Sequence, residues 1–204
     1  MSTINNKTAK KQKLPQKLIF WYNLLMISFI NNTLSFLTII VDIFIVFGIG
    51  YFLIYRKDKD NKIIGFLARN GLLIALLVTL FSSLGSLFYS EILKLEPCIL
   101  CWWQRIFMYP QIFILGLALF KKDVKIINYS LLLTIIGLLI AGYHNYIYYT
   151  SEISAVCSPQ AIDKVSCLER YNIFKLNYMS IPLMSLTAFL SIFIILIIMK
   201  NKYE

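Results

Sequence analysis

Long apolar runs, separated by short basic or polar breaks, fill most of the chain, and each is close to the length of a membrane crossing. About 20 apolar residues span a hydrocarbon core of roughly 30 Å. Four runs meet that length, at about 71–90, 103–120, 127–149 and 181–199. A fifth, about 33–55, is equally apolar apart from Asp42. Residues 18–30 form a shorter stretch that, at 1.5 Å per residue, reaches only about 20 Å and suits an interfacial helix better. The pattern predicts an all-α membrane protein: a four-helix transmembrane bundle over residues 63–204 and one extra N-terminal transmembrane helix with its loop over residues 33–62. Residues 1–32 are read as a basic tail with the interfacial helix. No internal repeat or Pro/Gly linker marks off a soluble domain.

Composition sharpens this reading. Of 204 residues, 59% are hydrophobic, more than an ordinary soluble domain carries. A net charge of +10 raises the question of nucleic acid. The basic residues argue against it, because they fall in short clusters between apolar runs rather than along one face. Such clusters follow the positive-inside rule. Arg56, Lys57, Lys59, Lys62, Arg69, Lys121, Lys122, Lys125, Lys200 and Lys202 fall on one side, against Lys94, Lys164, Arg170 and Lys175 on the other. Ten against four puts the first set in the cytoplasm and residues 91–97 and 150–180 outside the cell membrane. A single span at 33–55 leaves Lys7, Lys10, Lys11, Lys13 and Lys17 outside, against the rule. No cleavable signal peptide is expected, since Asn23, Asn31 and Asn32 interrupt the first apolar stretch and no small-residue cleavage site follows.

All four cysteines then lie at or beyond the external surface, the side where disulfides persist. Cys98 and Cys101 form a CxxC pair, whose two-residue gap lets a disulfide form and break easily. Pro97 suits the first turn of a helix starting there, and the helix N-terminus favours thiolate over thiol. Continued as a helix, Cys98, Cys101 and Arg105 stand at i, i+3 and i+7 on one face. An arginine at mid-membrane costs about 2.5–3.5 kcal/mol, less near the interface, so a partner is expected, and an anionic or carbonyl-bearing ligand fits. Cys157 and Cys167 are a second close pair in the loop before the last run. Two cysteine pairs beside a bilayer point to electron transfer between thiols and a lipid-soluble acceptor. The plainer alternatives are a structural staple for Cys157 and Cys167, interfacial anchoring by Trp102 and Trp103, and a snorkelling Arg105. A zinc site is disfavoured, because zinc takes four ligands and the spacing to Cys157, Cys167 and the lone His144 matches no ribbon or finger. Asp42 reads as a hydrogen-bonded packing residue rather than a proton relay, and Glu96 as either a neighbour of the thiols or a solvated loop carboxylate.

Pro97-Cys98-x-x-Cys101-Trp102-Trp103-Gln104-Arg105, followed by Met108-Tyr109-Pro110, resembles the DsbB/BdbC disulfide bond formation proteins over about residues 65–200. The resemblance implies a membrane thiol:quinone oxidoreductase that reoxidises an extracytoplasmic thioredoxin-like (DsbA/BdbD-like) protein. It implies that Cys98 and Cys101 pass electrons to a bound quinone, ubiquinone or menaquinone, with Arg105 beside it and no metal. Cys101 is preferred as the donor to quinone. Cys157–Cys167 becomes the exposed disulfide that the partner attacks, with Cys157 preferred for the mixed disulfide. The segment from Tyr171 to Tyr178 suits a stretch lying on the bilayer that holds this loop close. His144, near the external end of its helix, becomes a candidate proton donor, although Tyr143, Tyr146, Tyr148 and Tyr149 around it look like an aromatic belt. The rival readings are a vitamin-K-epoxide-reductase-like thiol oxidoreductase and, from another class, a small membrane metal-binding or transport protein. The N-terminal 60 or so residues lie outside the resemblance.

Overall fold

The apolar runs become helices whose polar side chains face inward. The computed structural model describes residues 29, 32–33, 35–45, 47–48, 50, 62–121, 123–150 and 180–203. Helix α1 covers Ser35–Ile45. Helix α2 (Lys62–Leu87) runs into a π-helical turn at Phe88–Ile92, followed by α3 (Ile99–Lys121), a short 3-10 turn at Val124–Ile126, α4 (Ile127–Thr150) and α5 (Ile181–Tyr203). No strand occurs among the described residues. Cys157, Cys167, the stretch at 18–30, the segment from Tyr171 to Tyr178 and much of the expected 33–55 span lie outside them.

Helices α2 to α5 close a bundle in ring order, α2 touching α3 and α5, and α4 touching α3 and α5. Among the described residues, three helices are long and apolar enough to cross a membrane: Lys62–Ile92, Ile127–Thr150 and Ile181–Lys202. Helix α3 is of similar length but carries Gln104, Arg105 and Gln111, all buried. Large apolar side chains such as Phe113, Phe120, Leu132 and Leu139 point outward, as lipid-facing positions should.

Contacts between helices rest on small residues and hydrogen bonds, because burial of apolar surface drives little when the solvent is itself hydrocarbon. Ala68, Gly71 and Ala75 are buried on α2, and a Cβ on Gly71 would meet the Met199 side chain of α5. Gln111 ties α3 to α4, its Oε1 accepting from Ser130 Oγ at 3.1 Å and from Thr134 Oγ1 at 3.0 Å. Asn145 Nδ2 reaches from α4 to the carbonyl of Pro182 at 2.8 Å. Ser180 caps α5, its hydroxyl accepting the Leu183 amide at 3.2 Å.

The turn that leads to the cysteines is closed by backbone bonds. Lys94 adopts a left-handed φ of 55°, and the Leu95 amide donates back six residues to the Tyr89 carbonyl at 3.1 Å. This is a left-handed helix stop with lysine in the place usually taken by glycine, its closing bond one residue wider than in the Schellman motif because it follows a π-helical turn. It ends the α2 column and delivers Pro97 and Cys98 to the start of α3.

The sequence reading of Asp42 as a packing residue agrees with its contact, since Thr187 Oγ1 of α5 donates to Asp42 Oδ1 at 2.6 Å. Thr38 of α1 lines a cavity together with Met184 and Ser185 of α5. The described part of α1 is shorter than a full span.

Gly137 supports a direct test of the packing. A Cβ at this position would run into the Phe189 ring, which is fully buried between α4 and α5. Gly137→Ala should therefore destabilise the bundle by about 1–3 kcal/mol, read as a lower unfolding midpoint in detergent.

Candidate redox site

Cys98 lies just before α3, and its carbonyl accepts the Trp102 amide at 3.1 Å, which makes it the N-cap position. Cys101 follows on the first turn. Both are free thiols, with Cys101 Sγ 3.3 Å from Cys98 Sγ. From α4, His144 Nε2 stands 3.7 Å from Cys98 Sγ. The other ring nitrogen, Nδ1, is 3.1 Å from Gln104 Nε2. An amide nitrogen only donates, so Nδ1 accepts, and the proton of the neutral imidazole sits on Nε2, aimed at the Cys98 sulfur.

These contacts set the chemistry of Cys98. Its thiol is pulled to about 4, chiefly because it accepts a hydrogen bond from the Cys101 thiol, with His144 adding to the pull and burial opposing it. Of the two sulfurs, Cys98 is the one whose surroundings favour the thiolate, the form that takes part in exchange.

Arg105 is only 8% exposed. Its Nε donates to Ser86 Oγ at 2.8 Å and its Nη2 to the Ser86 carbonyl at 2.9 Å. The guanidinium also lies 5.4 Å from the centre of the Trp102 ring, within cation–π range. Sequence reasoning expected a partner for this charge, and Ser86 of α2 is a protein partner it did not foresee. Two of the five N–H donors are used by these bonds, and Arg105 also borders a cavity.

That cavity, about 300 Å³, brings Cys98, Cys101, Arg105 and His144 together. It is the lower end of the size range for small-molecule sites. Its other walls are largely apolar, among them Phe81, Met108 and Phe189. Glu96 is exposed and stands at its rim. Tyr148 lines the cavity, whereas Tyr143, Tyr146 and Tyr149 are exposed on the outer surface, as a belt requires. Gln104 and Ser86 escaped the sequence reading. Gln104 was visible only as part of the motif, and the register of α2 against α3 that selects Ser86 is not encoded in any local pattern.

The ligating atoms of Cys98, Cys101 and His144 lie within 4.8 Å of one another, a possible metal triad. Structural zinc takes four ligands, and no fourth His, Cys, Asp or Glu joins the three among the described residues.

The sequence model of the family described as "Disulfide bond formation protein DsbB" matches residues 68–199. The chain belongs to the DsbB family. Among its relatives, the Probable disulfide formation protein C 1 of Bacillus cereus (strain ATCC 10987) is 44% identical over 122 residues, 59% of this chain and 86% of the relative. The Probable disulfide formation protein C of another Bacillus cereus strain, ATCC 14579, is 42% identical over 132 residues, 64% and 93% of the two chains. The SPbeta prophage-derived disulfide bond formation protein B of Bacillus subtilis is 43% identical over 121 residues, 59% and 79%. No solved structure matches the chain. Family membership and the apolar helices together make this DsbB-family chain a multi-pass membrane protein. The match to the family begins inside α2, so α1 lies outside it.

The thiolate assignment predicts the pH dependence of alkylation. In reduced protein, modification of Cys98 should persist well below the ordinary thiol value of about 8.5, and Cys101→Ala should move its midpoint upward. Alkylation rates resolved by mass spectrometry between pH 3 and 9 check this; a Cys98 midpoint near the ordinary value contradicts it.

Proposed function

We propose that this protein is a thiol:quinone oxidoreductase that reoxidises an extracytoplasmic thioredoxin-like dithiol protein and passes the electrons to a membrane quinone, so driving disulfide formation. The observation that carries this reading is the meeting of a CxxC pair, a buried arginine and a histidine in one largely apolar cavity within a DsbB-family bundle. The finer architecture proposed with it is four core transmembrane helices plus α1 as part of a fifth, with the cysteines on the outer side of the cell membrane.

The residues present fit a quinone. Arg105 retains N–H donors for a carbonyl oxygen, the apolar walls suit a ring, and the thiols lie beside both. A bound quinone supplies a lipid-soluble acceptor for two electrons and two protons. The rest falls to the chain. Cys157 and Cys167 form the outer pair that exchanges with the partner protein, with Cys157 the preferred site of the mixed disulfide. Their dithiol then reduces the Cys98–Cys101 disulfide, one disulfide forming as the other breaks. Cys101 lies one helical turn from Arg105 and is the sulfur assigned to hand electrons onward. Cys98, favoured as a thiolate, would re-form the S–S bond to Cys101 as that bond's two electrons and the two thiol protons pass to the acceptor held beside Arg105. His144 holds a proton on Nε2 at the cavity wall, a position suited to proton delivery, and Gln104 fixes that tautomer. Arg105 stabilises negative charge where the electrons arrive. Over one cycle two partner thiols become a disulfide, and two electrons and two protons leave the chain.

Purified protein in detergent should oxidise a reduced thioredoxin-like protein only when quinone is supplied. Cys98→Ala or Cys101→Ala should abolish this while the protein still inserts into membranes, and wild-type turnover in either variant refutes the assignment. Arg105→Ala should raise the apparent KM for quinone at least several-fold or slow its reduction to a similar degree; unchanged quinone kinetics remove Arg105 from the site.

A further inference from the structure

Helix α1 is built inside out. Ser35, Thr38 and Asp42 stand at i, i+3 and i+7, on one face. Ser35 is 2% exposed, Thr38 borders the redox cavity and Asp42 accepts the hydrogen bond from Thr187 of α5. The second carboxyl oxygen, Oδ2, is buried with no hydrogen-bond partner among the described residues. The opposite face presents Phe36, Leu37, Ile43 and Phe44, all exposed. A helix with polar side chains toward the protein and aromatic ones outward is placed between a polar interior and lipid.

Its position relative to the cavity follows from the lining. The cavity is lined by Cys98 and Arg105 at the start of α3, by His144 of α4, by the loop at Leu95–Pro97 and by residues of α2 and α5. Thr38 belongs to the same lining, as do Met184 and Ser185 of α5. Helix α1 thus borders the cavity with one face and is exposed on the other, in a segment that the family match does not include.

We propose that α1 is the lipid-side wall of the acceptor cavity, latched to α5 by the Asp42–Thr187 hydrogen bond, and that it lines the path of the acceptor's apolar tail. The inference rests on the quinone reading above and extends it. The thiols, Arg105 and His144 handle the polar head. Thr38 and the neighbouring part of α5 meet the first units of an isoprenoid-type chain as it leaves for the bilayer. Asp42 and Thr187 are positioning residues, acting through the placement of Thr38.

The test is equilibrium binding with full-length oxidised protein in detergent, read by quenching of tryptophan fluorescence. The probes are quinones of one headgroup with no tail or with tails of increasing isoprenoid length. In the wild type a tail should tighten binding. Thr38→Phe should weaken binding of the long-tailed quinone at least fivefold and leave the tail-less one within twofold. Asp42→Ala and Thr187→Val should each reduce the advantage of a long tail at least threefold, again with tail-less binding within twofold, which also reports an intact head site. A quinone carrying a photoreactive group on its tail should label the peptide holding residues 35–45 in the wild type. Unchanged ratios of long-tailed to tail-less Kd in all three variants, or labelling that spares that peptide, overturn the wall while leaving the quinone site standing. If no quinone binds the wild type, the acceptor reading fails and the wall falls with it.

Discussion

A guanidinium surrounded by helices in hydrocarbon must be held by the protein, and Arg105 is held by one residue of a neighbouring helix. Both the hydroxyl and the carbonyl of Ser86 accept from it. Two directed bonds fix the rotation of α3 against α2, and much else follows from that rotation. Cys101 is one turn before Arg105, and Gln104 is its immediate neighbour. Once Arg105 is set, Gln104 reaches His144 on α4 and the CxxC sulfurs come to the same cavity. The charge that is expensive to bury is thus also the element that registers the groups lining the cavity.

The remaining polar side chains follow the same logic. Gln111, Ser130 and Thr134 satisfy one another between α3 and α4, Asn145 satisfies a carbonyl at the head of α5, and Asp42 joins α1 to α5. Each of these is an interhelical hydrogen bond of the kind that averages about 0.6 kcal/mol in membrane proteins. None is large, but every one removes a rotational alternative for its helix. Close approach at Gly71 and Gly137 does the rest. The polar groups at the cavity, Arg105 with Ser86 and Gln104 with His144, are likewise paired across helices.

Much of this is legible in the order of residues alone. The apolar runs locate α2 to α5, with α2 beginning at Lys62 rather than near residue 71, and the i, i+3, i+7 spacing places Cys98, Cys101 and Arg105 on one cavity. The DsbB/BdbC resemblance, drawn from the CxxCWWQR stretch, agrees with the family match. The features that are not legible share a cause. Ser86 as the partner of Arg105, Gln104 as the orienter of His144 and Thr38 as a cavity wall all depend on how helices distant in sequence are rotated against each other. Hydropathy runs carry length but little phase, since lipid-facing and helix-facing positions are both apolar. The left-handed Lys94 is equally hidden, because glycine is the usual marker of that stop and is absent here. Cys157 and Cys167 remain readings of the sequence, as they lie outside the described residues.

Passage of electrons between the Cys98–Cys101 pair and a lipid-soluble acceptor is the core of the proposed function. Thiol trapping in membranes stripped of quinone and then replenished, in the presence of a reduced thioredoxin-like protein, tests this most directly. Both sulfurs should accumulate as alkylatable thiols on stripping and return to a disulfide once quinone is restored. A pair whose redox state ignores the quinone content of the membrane contradicts the account.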